Sequence, residues 1–190
     1  MAIGVLALQG DYEQHERQAR TLGAKTSLVK LPEHLNGLDG LIMPGGESTT
    51  MNILLDRFSL RRPLKEFGRS HPIYGTCAGM ILLAKGIVDN QSGVEPLALL
   101  DIDVIRNGYG RQLYSFEETV EAKFDSRSSF RAAFIRAPKV DRLGKGVDTL
   151  AIYRNDPVLV RQGNILAASF HNELGDDTSV LGYFLGNFFV

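Results

Sequence analysis

The sequence lacks most of the features that would place the protein in a specialised structural class. It contains a single cysteine, which excludes an internal disulfide. No apolar run approaches the ~20 residues that span a bilayer. The formal net charge is −1, from 21 basic and 22 acidic residues, and gives no reason to expect binding to a phosphate backbone. We therefore expect neither a membrane-spanning segment nor a nucleic-acid partner.

The remaining composition is that of an ordinary globular protein. The 190 residues are 44% hydrophobic and 23% charged. This length suits one domain, which we expect to cover residues 1–190. No signal peptide precedes the first apolar segment, so the sequence favours the cytoplasm.

The order of apolar and amphipathic segments predicts the fold class. In the first half, the pattern predicts strands at 2–8, 26–31, 40–43 and 72–76 and helices at 11–22, 48–58, 60–69 and 78–85. Ser48 or Thr49 is the expected cap of the second helix. In the second half it predicts strands at 102–105, 119–122, 133–135, 150–153, 158–160 and 165–168 and a helix at 177–189. The alternation indicates a three-layer, flavodoxin-like α/β fold, in which helices flank a mostly parallel sheet and the second half adds antiparallel strands.

The only cysteine lies at one of the predicted strand-to-helix junctions. Gly75-Thr76-Cys77-Ala78-Gly79 matches a nucleophile elbow with sulfur in place of the serine oxygen. The glycines would let neighbouring backbone approach closely, and the amino end of the following helix would favour a thiolate. A small buried thiol is the alternative interpretation, and the local pattern alone does not decide between the two.

His171 is the histidine best placed to act as a base for this cysteine. It follows the predicted strand 165–168, and Glu173 comes two residues later. In an extended segment, residues i and i+2 point the same way, so the carboxylate can hold one imidazole nitrogen while the other faces the thiol. A polar turn before the last helix is the alternative.

The other three histidines are weaker candidates. His71 precedes the cysteine by six residues on one extended strand, about 20 Å away at the wrong edge of the sheet. His34 lies in a polar loop. His15 lies one turn into the first predicted helix, near the correct edge, but has no obvious orienting group.

Acyl transfer also needs hydrogen-bond donors for the developing oxyanion. The N–H of Ala78 is one, and the glycine-rich loop 44–47 lies at the same edge of the predicted sheet. This loop lacks the Gly-Lys-Ser/Thr that follows in a phosphate-binding P-loop. With no second cysteine and no paired-histidine motif, we expect no metal.

Six segments together carry a resemblance to a known family. They are Gly4 to Asp11, Leu41 to Thr50, Gly75 to Met80, Gly110 to Gln112, Phe134 to Pro138 and Ser169 to Leu174. The chain resembles the class I (triad) glutamine amidotransferases, and within them the glutaminase subunits of pyridoxal 5′-phosphate synthase. The cysteine elbow and His-x-Glu belong to the whole class, whereas LQGD, PGGEST, GRQ and FIRAP are typical of the vitamin B6 enzymes.

The resemblance implies an activity and a partner. The chain would hydrolyse L-glutamine to L-glutamate and pass the ammonia to a separate synthase subunit, a TIM barrel, within a hetero-oligomer that makes pyridoxal phosphate. No cofactor is implied. Two alternatives are a non-catalytic interaction domain of flavodoxin-like fold and a related hydrolase or chaperone with an elbow cysteine.

The resemblance also implies residue roles. Cys77 would be the nucleophile, His171 the general base and acid and Glu173 its orienting group, with Gly46 and Ala78 as the oxyanion hole. The positions aligned with glutamine binding are Gly46, Glu47, Ser48, Arg106, Ile135 and Arg136, and Gln9 aligns with a residue near the partner interface.

Two departures from the family pattern affect these expectations. The chain has Asn172 where the family usually has proline, so the fixed φ between His171 and Glu173 is lost. The segment 106–110 carries an extra glycine, which makes Arg106 the least secure of the binding residues.

Overall fold

A computed structural model describes residues 1–88, 90–109, 115–124 and 129–189. The helices in these ranges are α1 (Tyr12–Thr21), α2 (Ser48–Arg57), α3 (Arg61–Phe67), α4 (Ala78–Leu83) and α5 (Ser179–Asn187), with a short 3-10 helix at Pro32–Leu35. None of them combines the length and apolar character needed to cross a membrane.

The strands fall into two sheets. Their bounds are β1 (Ala2–Leu6), β2 (Lys25–Val29), β3 (Gly40–Met43), β4 (Ile73–Thr76), β5 (Ala84–Val88), β6 (Leu100–Ile105), β7 (Ser115–Ala122), β8 (Ser129–Ile135), β9 (Lys139–Leu143), β10 (Asp148–Tyr153), β11 (Asp156–Gln162) and β12 (Ile165–Ala168). The larger sheet has nine strands in the order β2-β1-β3-β4-β12-β11-β10-β7-β8, and the smaller has the order β5-β6-β9.

The larger sheet confirms the predicted fold class. The neighbours from β2 to β12 pair in parallel, and those from β12 to β8 pair antiparallel. Because side chains alternate along a strand, the parallel strands serve two hydrophobic cores. Leu41 and Met43 of β3 face the core that contains α2, α3 and α4, whereas Ile42 faces the core that contains α1 and α5. The helices therefore form a layer on each face of the sheet.

The smaller sheet corrects two predictions. The helix expected at 78–85 ends at Leu83, and the chain continues as β5, which pairs in parallel with β6. The strand β9, which the apolar pattern did not predict, pairs antiparallel with β6. Tertiary pairing thus overrides the local pattern, and β6 belongs to this second sheet rather than to the main one.

The cap of α2 is also different from the expected one. Glu47 is the N-cap, and its carboxylate accepts the backbone N–H groups of Thr49 at 3.0 Å and Thr50 at 2.6 Å, so that Ser48 is the first helical residue. Partial burial raises the pKa of Glu47, but these hydrogen bonds outweigh it and the pKa is lowered. The prediction of Ser48 or Thr49 was wrong because a longer acceptor precedes them in the chain.

Candidate active site

The elbow around Cys77 joins the end of β4 to the start of α4. Cys77 has φ 48° and ψ −102°, a positive-φ conformation that non-glycine residues rarely adopt and that costs about 1–3 kcal/mol. A Cβ atom on Gly79 would strike the carbonyl oxygen of Met43, and one on Gly75 would lie 2.8 Å from the carbonyl carbon of Gly79. Both flanking glycines are therefore required by close backbone approach, which holds the thiol in a strained turn.

His171 and Glu173 form a buried pair at the end of β12. His171 Nδ1 lies 2.7 Å from Glu173 Oε1, and the exposed fractions of the two residues are 5% and 0%. The backbone N–H of His171 donates to the carbonyl oxygen of Ala133 at 2.8 Å, and this hydrogen bond joins the segment to β8. The i, i+2 arrangement predicted from the sequence is thus present.

The thiol and the carboxylate both change the protonation of His171. Burial alone would lower the pKa of the imidazole, but hydrogen bonds to Cys77 and Glu173, and their negative charges, raise it to about 10. Burial raises the pKa of Glu173, yet the neighbouring imidazoles of His15 and His171 hold that pKa well below its usual range. At neutral pH the site therefore contains an imidazolium paired with a carboxylate.

A cavity of about 250 Å³ opens in front of this pair. The predicted residues that line it are Gln9, Gly46, Glu47, Ser48, Cys77, Arg106, Ile135, Arg136 and His171. Ala78 and Glu173 are fully buried and are not among its lining residues. A second cavity, of about 450 Å³, also touches His171, but Cys77 is not among its lining residues.

The cavity that contains Cys77 is lined by charges of both signs. Arg106 Nη2 lies 3.3 Å from Glu47 Oε1 and 3.2 Å from Thr49 Oγ1, and Arg136 lines the same cavity. A guanidinium can bind a carboxylate through two hydrogen bonds, and a carboxylate can accept from an ammonium group. The arrangement therefore suits a small zwitterion such as an amino acid.

The loop 44–47 lies between the 7–11 loop that joins β1 to α1 and the His171 imidazole. Glu47 N–H donates to Gln9 Oε1 at 2.7 Å, and Asp11 N–H donates to the carbonyl oxygen of Gly45 at 3.4 Å. A side chain on Gly45 would strike the His171 ring, and one on Gly46 would strike the amide oxygen of Gln9. Gln9, expected near a partner interface, therefore holds the glycine loop within this chain.

Asn172, the departure from the family's proline, is fixed by side chains instead. The Tyr74 hydroxyl donates to Asn172 Oδ1 at 2.7 Å, and Gln18 Nε2 donates to the backbone oxygens of Asn172 at 3.3 Å and Gly175 at 3.0 Å. Burial, with the charge of Glu173, raises the pKa of Tyr74 far above its usual range, so the phenol keeps the proton it donates. The loss of proline is thus compensated by hydrogen bonds.

From the sequence, His15 was a weak candidate base without an orienting group, and its contact with Glu173 was not predicted. The His15 side chain is fully buried, with Nε2 3.1 Å from Thr76 Oγ1 and 3.5 Å from Glu173 Oε2. Its partner is 158 residues away in the chain, so no local pattern could have identified it. The available signal was two polar residues three apart, His15 and Gln18, on one face of a helix.

Three side chains of a type that can bind metal lie close together in the site. Asp11, His171 and Glu173 offer ligand atoms within 4.8 Å of one another. Because His171 Nδ1 already shares a proton with Glu173 Oε1, we assign these groups to the hydrogen-bonded pair rather than to a cation. The Gly110-Arg111-Gln112 motif, one of the six segments that carry the family resemblance, lies outside the described residues.

Comparisons with known proteins agree with this geometry. A model of the SNO glutamine amidotransferase family matches residues 5–190. The chain is 52% identical over 186 residues to "Pyridoxal 5'-phosphate synthase subunit PdxT" of Thermotoga petrophila, covering 97% of this chain and 98% of the relative. It is 51% identical over 187 residues to the protein of the same name from Geobacillus kaustophilus, covering 97% and 93%.

Solved structures show the same likeness. A crystal structure of a glutamine amidotransferase superposes with a TM-score of 0.90 at 45% identity and covers 96% of each chain. The structure of PurLQS from Thermotoga maritima matches with a TM-score of 0.70 over 97% of this chain and 96% of that one, but at 14% identity it indicates the fold alone.

Proposed function

Because the chain belongs to the SNO glutamine amidotransferase family, we propose that it is the glutaminase subunit of a pyridoxal 5′-phosphate synthase. It hydrolyses L-glutamine to L-glutamate and ammonia for vitamin B6 biosynthesis. The ammonia passes to a synthase subunit, a TIM barrel, in a hetero-oligomer. About 50% identity over nearly the whole of the named relatives supports this assignment.

In the proposed first step, the Cys77 thiolate attacks the γ-carboxamide carbon of glutamine and forms a C–S bond. The carbonyl oxygen becomes an oxyanion, which accepts hydrogen bonds from the backbone N–H groups of Ala78 and Gly46. The His171 imidazolium gives its proton to the amide nitrogen, the C–N bond breaks, and ammonia leaves a thioester. The raised pKa of His171 keeps that proton available at neutral pH.

In the second step, His171 changes role. Once the sulfur of Cys77 is acylated, its negative charge no longer raises the pKa of the imidazole, which therefore falls. The neutral ring then takes a proton from water, and the resulting hydroxide attacks the thioester. The C–S bond breaks, Cys77 recovers the thiolate, and the released γ-carboxylic acid ionises to glutamate by giving its proton to the solvent. Glu173 holds the ring in one orientation throughout.

Substrate binding is assigned to the cavity of about 250 Å³ that contains Cys77. Arg106 and Arg136 bind the α-carboxylate, Glu47 accepts from the α-ammonium group, and Gly46, Ser48 and Ile135 complete the lining. Gln9 holds the glycine loop and lies at the face that meets the synthase.

The proposal also covers the number of domains and the cellular location of the protein. We assign residues 1–190 to one domain, since the nine-stranded sheet draws strands from Ala2 to Ala168 and inserts β12 between β4 and β11. A single unpaired, buried thiol fits the reducing cytoplasm.

The contact between His171 Nδ1 and Glu173 Oε1 beside Cys77 carries this proposal, and ammonia release from glutamine tests it. The chain is assayed with and without the synthase subunit, alongside Cys77→Ala and His171→Asn, with exposed His34→Asn as the matched control. We expect turnover in the unsubstituted complex and in His34→Asn, and none in the other two. Full turnover in Cys77→Ala, or faster hydrolysis of peptides or esters than of glutamine, would contradict it.

A further inference from the structure

The Glu173 carboxylate is buried with one of its two oxygens poorly satisfied. Oε1 is bonded to His171 Nδ1 at 2.7 Å. Oε2 has no hydrogen bond of normal length among the described residues, and His15 Nε2 lies 3.5 Å from it. A buried carboxylate needs donors on both oxygens, because burial penalises a charge that is not hydrogen-bonded.

His15 can supply that donor through one nitrogen only. Its Nε2 faces both Thr76 Oγ1 at 3.1 Å and Glu173 Oε2, whereas its Nδ1 is buried with no partner in the described part of the chain. A proton on Nδ1 would be buried without an acceptor, and a bare Nε2 would present a lone pair to an oxygen that can only accept. We therefore assign the ring proton to Nε2, shared between the hydroxyl and the carboxylate.

The position of His15 is fixed by its helix. The ring packs edge-on against Tyr74, with centroids 6.1 Å apart, and Gln18 on the same face of α1 binds the backbone on either side of Glu173. The face of α1 formed by His15 and Gln18 thus holds the segment 172–175 against β4.

From these contacts we propose that His15 is a positioning residue that holds the Glu173 carboxylate through Nε2–H and thereby keeps Glu173 directed at His171. It is fully buried and is not among the residues that line the cavity with Cys77, so it is not placed to touch the substrate. The inference rests on the proposed glutaminase function for its kinetic consequence, but the assignment of the proton to Nε2 does not.

The kinetic test compares variants that keep or remove a donor at the Nε2 position. The complex with the synthase subunit is assayed with His15→Leu, His15→Gln and His15→Asn, and exposed His34→Leu is the control. A glutamine side chain places its amide nitrogen near the position of Nε2, whereas asparagine reaches only the position of Nδ1. We expect kcat of His15→Leu to fall roughly 10- to 100-fold with KM unchanged, the range found when residues that orient metal-binding side chains are removed.

Rescue decides between positioning and simple packing. We expect His15→Gln to recover most of kcat and His15→Asn not to recover it. Equal kcat values in the glutamine and asparagine variants, or an unchanged kcat in His15→Leu, would overturn the proposal. If His15→Leu does not fold, as judged by thermal unfolding, the comparison of the glutamine and asparagine variants still decides.

A second measurement does not depend on activity. In protein labelled with ¹⁵N at histidine, the ring shifts of His15, assigned by their loss in His15→Gln, report which nitrogen carries the proton. We expect Nε2–H and a bare Nδ1, whereas the Nδ1–H tautomer would overturn the proposal. An unsubstituted complex that shows this Nε2–H signal but does not hydrolyse glutamine would refute the proposed function and leave the assignment of His15 standing.

Discussion

Replacing Glu173 by glutamine should change how the stability of the protein depends on pH. The substitution keeps the shape of the side chain but removes the charge that faces His171 Nδ1 at 2.7 Å. In the native site, the pKa of His171 rises from 6.5 to about 10, which corresponds to roughly 5 kcal/mol of tighter proton binding in the folded state. Because the thiol and the carboxylate share this effect, we assign on the order of 2 kcal/mol to Glu173.

The direction of the pH effect follows from the linkage between the protonation of His171 and folding. A group whose pKa is raised on folding contributes stability that is fully present below its unfolded pKa, 6.5 for His171, and is lost as pH rises through about 10. The unsubstituted protein should therefore lose stability between pH 6.5 and 10. In Glu173→Gln the pKa of His171 is lower, so the loss should be smaller and should be complete at a lower pH.

Urea unfolding at several pH values between 6 and 10 measures the effect. The difference in unfolding free energy between the two proteins should be largest near pH 6 and should shrink by about 2 kcal/mol by pH 10, or about 1 M urea in midpoint at a typical slope. Desolvation of the carboxylate adds a constant to this difference, because it does not depend on the protonation of His171. Exposed Glu33→Gln is the matched control and should show no pH-dependent difference. A difference for Glu173→Gln that stays constant from pH 6 to 10 would refute the ion pair.

Three other substitutions test separate parts of the structure. Gly79→Ala should destabilise the protein by about 1–3 kcal/mol in thermal unfolding, because the added Cβ meets the Met43 carbonyl oxygen. Gly182→Ala in α5, where a Cβ would meet open space, should be neutral or slightly stabilising. Equal effects of the two substitutions would contradict the close approach at Gly79. Cys77→Gly should be about 1 kcal/mol more stable than Cys77→Ala in urea, since only glycine accepts φ 48° without strain, and equal midpoints would count against strain at the elbow. Arg106→Met should raise KM for glutamine about 10- to 100-fold with little change in kcat, as expected for the loss of a hydrogen bond to a charged group. An unchanged KM would show that Arg106 does not bind the substrate.

Much of the fold could be predicted from the sequence because its strands are continuous apolar runs. Strands such as β1 and β3, buried on both faces, have this composition, and the helices between them require parallel pairing. The strand β9 was missed because its sequence, Lys-Val-Asp-Arg-Leu, has no such run. Arg142 on β9 lies opposite Asp103 on β6 and forms an ion pair with it, so the pairing depends on a partner distant in sequence.

The candidate site was predictable where its geometry is local. The elbow around Cys77 and the i, i+2 relation of His171 and Glu173 depend on spacing within a few residues, so the sequence contains them. The Glu47 cap is local but depends on the reach of its longer side chain, which the sequence rule for helix caps overlooked. The contact of His15 with Glu173 depends on packing between segments far apart in the chain. No short pattern encodes such contacts.

The place of β12 in the sheet has a consequence for synthesis on the ribosome. Because β12 lies between β4 and β11, one edge of β4 keeps its N–H and C=O groups unpaired until Ile165–Ala168 has emerged. His171 follows this strand by three residues, so the imidazole reaches Cys77 only when the last strand of the sheet closes. A nascent chain therefore carries an exposed strand edge beside an unpaired thiol. It acquires its hydrolytic chemistry only when that edge is covered.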